Sequence, residues 1–126
     1  MSGLESPAQT AVRPVITEEA SAMETLLGVE TYVDDGVATV RLVGELDMAS
    51  AQRLRDCVGE LLGGGQRRLV VDMAELDFID STGLGVLVAA LKRFRDVDGT
   101  FAIKDPRSPV RRVLEVTRLD QVFEIV

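Results

Sequence analysis

Asp80-Ser81-Thr82 sets two hydroxyls among carboxylates: Glu45 and Asp47 lie upstream, and Asp72, Glu75 and Asp77 lead into the tripeptide. Grouped carboxylates can hold magnesium or take part in phosphotransfer. They also shape turns and cap helices by accepting from free backbone amides, which is the simpler reading of Asp77 and Asp80. A Gly-rich phosphate loop with a lysine is absent from the chain. The Ser81 hydroxyl falls at the start of an apolar-faced stretch, where it reads either as an ordinary cap or as an acceptor for a phosphoryl group. Free N–H groups and the positive end of a helix dipole tolerate added negative charge at such a position. A phosphoryl group would add roughly 1.5 to 2 negative charges there, changing what docks rather than how the chain folds. Spacing by itself favours the cap and does not reach phosphorylation.

The stretch Leu69 to Phe94 must position these groups. Leu69-Val70-Val71 has the continuous aliphatic character of a strand covered on both faces, and Asp72 is expected to end it, leaving Met73 to Ile79 as a loop. From Thr82 onward the period becomes helical, with Leu84, Leu87, Val88, Leu91 and Phe94 on one stripe. Upstream, Val29 to Val33 and Val37 to Val43 read as strands joined by the hairpin turn Asp34-Asp35-Gly36. Asp47 is placed to cap a helix with Leu54, Cys57 or Val58, Leu61 and Leu62 on its apolar face, stopped by Gly63-Gly64-Gly65. Downstream, Thr100 to Lys104 is a strand. Ser108-Pro109 opens a helix with Val110, Val113, Leu114 and Thr117 facing inward, and Val122 to Val126 is a last short strand. The order ββαβαβα plus a short terminal strand predicts an α/β domain with a mixed sheet. Loops at the carboxyl ends of its parallel strands gather on one edge, which brings Glu45 and Asp47 toward Asp72, Glu75, Asp77, Asp80 and Ser81.

Composition narrows the function. One domain is expected from 126 residues, with an aliphatic core, because the only aromatics are Tyr32, Phe78, Phe94, Phe101 and Phe123. A single cysteine, Cys57, excludes an internal disulfide and reads as a buried small hydrophobe, while the absence of histidine argues against zinc sites and Ser-His catalysis. The net charge of −7 argues against a nucleic-acid partner. Positive charge gathers toward the C-terminal third, where solvated helix faces account for Lys92, Arg93, Arg95, Arg111 and Arg112. Residues 1–27 have neither the basic start nor the long apolar run of a signal peptide, and no segment reaches membrane-span length. A flexible N-terminal tail over 1–27, with Glu18 to Leu27 able to form a short helix, a domain over 28–126, a cytoplasmic location and no membrane partner are the expectations.

The chain resembles a STAS domain of the anti-sigma factor antagonist kind found in bacterial partner switching. The residues that carry the resemblance are Leu42-Val43-Gly44-Glu45-Leu46-Asp47, Leu69 to Met73, Phe78-Ile79-Asp80-Ser81-Thr82-Gly83-Leu84-Gly85-Val86-Leu87, Val110 through Leu119, and Val122-Phe123. It implies that Ser81 is the phosphoacceptor of an ATPase-type anti-sigma factor that is also a serine kinase using ATP and magnesium, with Thr82 as the alternative acceptor. The unphosphorylated chain would bind that partner and free a sigma factor; phosphorylation would reverse binding, and a serine phosphatase would reset it. Glu45, Asp47, Asp77, Asp80, Ser81, Thr82, Gly83 and Leu84 would form the partner-binding set. The chain itself would be no enzyme and would need no cofactor or metal, acting as a monomer or weak dimer in stress response or sporulation. Asp47 would help orient the kinase or its nucleotide-side contacts, and Gly83 and Gly85 would allow close backbone approach at the start of the helix or serve local packing equally well.

Two other readings compete. The same fold serves as a scaffold or lipid-transport accessory module that acts on no sigma factor. Alternatively, the Asp72 to Asp80 carboxylates would make a phospho-aspartyl receiver or a small phosphatase; the initial hairpin and the lack of paired acids after the first strand count against the receiver.

Overall fold

The structure, a computed structural model, describes residues 12–13 and 26–126. Strands β1 (Val12–Arg13), β2 (Leu27–Asp34) and β3 (Val37–Leu46) are followed by α1 (Ala51–Gly63), β4 (Arg68–Ile79) and α2 (Ser81–Asp96). Then come β5 (Thr100–Lys104), α3 (Ser108–Val116), a short 3-10 turn over Leu119–Gln121, and β6 (Glu124–Ile125). The described strands form a six-stranded sheet in sequence order. β1, β2 and β3 are antiparallel neighbours, and β3 to β6 run parallel, as helical crossovers require. The expected mixed α/β architecture is therefore the one adopted.

Parts of the expected tail belong to the sheet. Val12 pairs with Glu30 and Arg13 with Val29, while Leu27 opens β2 and is fully buried, so it is a strand residue and not the end of a short helix. Leu26 is exposed just before β2, and residues 1–11 and 14–25, with most of the expected short helix over Glu18 to Leu27, lie outside the described residues.

Apolar spacing builds one core. α1 buries Ala51, Leu54, Cys57 and Val58, and α2 buries Leu84, Val86, Leu87, Ala90, Leu91 and Phe94 against Ala38, Val40, Leu42, Leu69 and Val71 of the central strands. Burial of such side chains contributes about 1.5–3 kcal/mol each. Phe94, Phe101 and Phe123 stack in series, with ring centroids 6.4 and 5.7 Å apart, tying α2 and β5 to the C-terminal turn. Thr117, expected to face inward, is exposed and closes α3 by donating to the Val113 carbonyl at 2.7 Å. The terminal strand is shorter than expected, two residues, because the preceding segment curls into the 3-10 turn.

β4 departs most from the sequence expectation. It does not stop at Asp72 but runs through Ile79, so the expected loop over 73–79 is strand. Its partner β3 slips register twice, between Arg41 and Val43 and between Gly44 and Glu45. Such irregularities shift the inward-facing period: after Leu69, Val71 and Met73 the buried positions become Leu76 and Ile79. Strict alternation is lost, and the strand signal with it. At the second slip Gly44 takes φ 106° and packs so tightly that a Cβ would stand 1.9 Å from the Leu26 carbonyl oxygen. Only glycine satisfies both conditions.

Candidate functional site

The carboxyl ends of β3 and β4 meet where both strands turn into helices. Leu46 pairs with Ile79, and the Asp80 N–H donates to the Leu46 carbonyl at 3.2 Å. Asp80 is the N-cap of α2: its Oδ1 accepts from the Gly83 N–H at 2.9 Å. Its Oδ2 accepts from the Met48 N–H at 3.0 Å, so one carboxylate ties the β3–α1 loop to the first turn of α2. The capping bond is made by Asp80 and not by Ser81. Ser81 is the first helical residue, exposed, and its hydroxyl bonds to no group among the described residues. Thr82 beside it is half-buried.

Asp47 does not cap α1 in the expected way. The N-cap is Ser50, which makes no side-chain capping bond. Asp47 instead orders the loop before the helix, its Oδ1 accepting from the Ala49 N–H at 3.0 Å and the Ser50 N–H at 3.1 Å. The chain is already turning there, since the Ala51 N–H reaches the Asp47 carbonyl at 2.8 Å. Ser50 was not singled out from sequence, yet it is fully buried and central to this loop. Its Oγ accepts from the Asp47 N–H at 2.9 Å and lies 3.0 Å from the Glu45 carbonyl.

Most of the acidic cluster proves to be structural. Asp72 accepts from the Ala74 N–H at 3.0 Å, and Asp77 pairs with Arg107 at the start of α3. Glu75 pairs with Arg41, which also meets Glu30; hydrogen bonding and charge from Glu75, then Glu30, raise the Arg41 pKa above its ordinary value. Glu45 alone among these acids makes no side-chain bond to the described residues. No group of three or more Cys, Asp or Glu among the described residues is placed to hold a metal ion. Backbone amides thus engage Asp47, Asp72 and Asp80, whereas Asp77, expected to shape a turn, lies within β4 and, like Glu75, is held by an arginine.

Two of the expected partner-binding residues are inaccessible. Leu84 is 7% exposed and belongs to the core. Gly83 is buried against β3, where a Cβ would lie 2.8 Å from Leu46 Cγ and 2.9 Å from its carbonyl oxygen. Gly83 permits close packing of the α2 N-terminus on the sheet. At Gly85 the same reasoning fails, because a Cβ there would meet nothing within 4 Å and the residue faces solvent. Sequence reasoning also missed two large apolar side chains at this edge, Met48 at 77% and Phe78 at 47% exposure. Their signal was available only as hydrophobes flanking the motif, with no sign of which way they face.

The fold and this strand-to-helix junction define a small α/β domain with a hydroxyl presented at a capped helix start. The STAS domain family model matches residues 28–126, and the chain belongs to that family. It is 33% identical over 100 residues to an anti-sigma F factor antagonist of Paenibacillus polymyxa, covering 79% of this chain and 86% of the relative. Among solved structures it is similar to an anti-sigma factor antagonist of Mycobacterium paratuberculosis, 28% identical, with a TM-score of 0.72 over 79% of this chain and 85% of the other. The unphosphorylated form of the anti-sigma factor antagonist SpoIIAA shares the fold at 22% identity, with a TM-score of 0.68 over 80% of this chain and 88% of the other. Among the described residues no helix is long and apolar enough to cross a membrane.

Proposed function

We propose that this STAS domain is an anti-sigma factor antagonist whose binding is switched by phosphorylation of Ser81. The observation that carries this reading is the division of labour at the start of α2: Asp80 performs the capping, and the adjacent Ser81 hydroxyl is exposed and unengaged among the described residues. The partner is an anti-sigma factor of the ATPase type that acts as a serine kinase and supplies ATP and magnesium. In the unphosphorylated state the chain occupies that partner and its sigma factor is free. A phosphoryl group on Ser81 is tolerated by the fold, because the first turn of α2 offers free N–H groups and the positive end of the dipole. At a docked surface already carrying Glu45, Asp47 and Asp77 it introduces repulsion and a desolvation penalty. A loss of about 3 kcal/mol weakens a complex roughly a hundredfold or more. A serine phosphatase restores the binding form. The names of the relatives support the partner class.

The test uses purified full-length protein and the ATPase-type anti-sigma factors of its source genome. One of them should bind the wild type and Ser81→Ala, transfer the γ-phosphoryl of ATP to Ser81 as mapped by mass spectrometry, and lose Ser81→Asp. Equal binding of Ser81→Ala and Ser81→Asp, with no phosphoserine at position 81, would leave Ser81 a surface residue of a scaffold module.

A further inference from the structure

We propose that Met48 and Phe78 are the apolar anchors of this surface, received by an apolar depression on the anti-sigma factor whose rim carries arginine or lysine. The proposal rests on the reading of Ser81 given above and assigns what holds the complex together before the hydroxyl is modified.

Folding leaves most of Met48 and about half of Phe78 exposed, although each sits in an ordered backbone. Met48 is held by its N–H bond to Asp80, and the amides of Ala49 and Ser50 that follow are held by Asp47. Phe78 lies in β4 opposite Glu45, two residues before Asp80. An exposed apolar side chain on a fixed backbone binds with less ordering entropy than one on a mobile loop. Aromatic residues and Met are enriched where protein surfaces dock, and a thioether adapts to the shape it meets.

Charge selects the occupant. Glu45 and Asp47 flank Met48 in sequence, and Asp77 precedes Phe78. Arg107 neutralises Asp77, whereas Glu45 has no side-chain partner among the described residues. The rim is therefore negative. A second copy of this chain would bring the same acidic rim against it, whereas a basic rim is complementary. The position beside Ser81 also explains how one phosphoryl group reaches the whole contact: it adds negative charge next to the anchors, where water must be excluded for them to bind.

The experiment measures binding of the full chain to the purified cognate anti-sigma factor in magnesium-ADP, which prevents phosphoryl transfer. Met48→Ser and Phe78→Ser should each weaken binding by roughly thirty-fold or more, mainly through faster dissociation. Glu45→Gln should act chiefly on the association rate and on its salt dependence. Val116→Ser, at an equally exposed apolar residue on α3, is the control and should change binding by less than about twofold. Circular dichroism and urea denaturation establish that every variant is folded. If the wild type binds and Ser81→Asp does not, while Met48→Ser and Phe78→Ser bind like the wild type, the anchors are refuted and the switch stands. If the wild type binds no anti-sigma factor, both readings fall. A homodimer by sedimentation velocity that Met48→Ser and Phe78→Ser dissolve, with anti-sigma factor binding unaffected, would assign the patch to self-association and overturn the proposal.

Discussion

The Met48 N–H and the Asp80 carboxylate are joined at 3.0 Å across two loops that are 32 residues apart in sequence. Because the other oxygen of the same carboxylate caps α2 on Gly83, the geometry of the β3–α1 loop and the start of α2 are one unit. Asp80→Ala removes both acceptors and should destabilise the domain by about 1–3 kcal/mol. Asp80→Asn keeps the cap but turns an amide donor toward the Met48 N–H, so it should recover only part of that loss. Urea denaturation of the two variants checks the order; equal stability of Asp80→Ala and wild type would show that the link contributes nothing.

Two glycines in the same helix should respond in opposite directions to alanine. At Gly83 the new methyl meets Leu46 at 2.8 Å from Cγ and 2.9 Å from the carbonyl oxygen, so overpacking of about 1–3 kcal/mol should outweigh the gain in helix propensity. At Gly85 nothing lies within 4 Å, and Gly85→Ala should stabilise by up to about 1 kcal/mol. Paired denaturation curves distinguish them. Stabilisation by both would mean that α2 can move off β3 without loss.

Ser50 holds the loop from inside. Replacing it with Ala leaves the part-buried Asp47 N–H without its 2.9 Å acceptor, which should cost about 1–2 kcal/mol. Amide hydrogen exchange gives a local readout: protection at Asp47 and Ala49 should fall in Ser50→Ala while protection in β5 falls only with global stability.

Negative charge at residue 81 should leave the fold intact. Ser81→Asp places a carboxylate in the first turn of α2, where the dipole favours it and the neighbouring Asp80 opposes it. Its stability should stay within about 1 kcal/mol of the wild type. Thermal melts of Ser81→Ala and Ser81→Asp compare them; cooperative unfolding lost only in Ser81→Asp would mean that phosphorylation acts by melting the helix start.

Strand, helix and turn order could be read from the residues alone, because periodicity and punctuation are local properties. Leu84, Leu87, Leu91 and Phe94 declare a helix by spacing, Asp34-Asp35-Gly36 declares a hairpin, and Gly63-Gly64-Gly65 ends α1. The same local signal placed Ser81 at a helix start. Tertiary structure decided everything that depended on a partner distant in sequence. β4 reaches Ile79 because β3 slips register against it, a property of the pair and not of either strand. The Asp80 cap on Gly83 is local, but its second oxygen holds Met48, 32 residues away, and Asp77 is drawn to Arg107, 30 residues away. Burial made the same distinction between neighbours of one motif: packing against Leu46 and Ile79 withdrew Gly83 into the interior, while Met48 and Phe78 were left in solvent. Residue type determines which contacts are possible, and only the folded chain determines which of them are satisfied internally and which remain open to another protein.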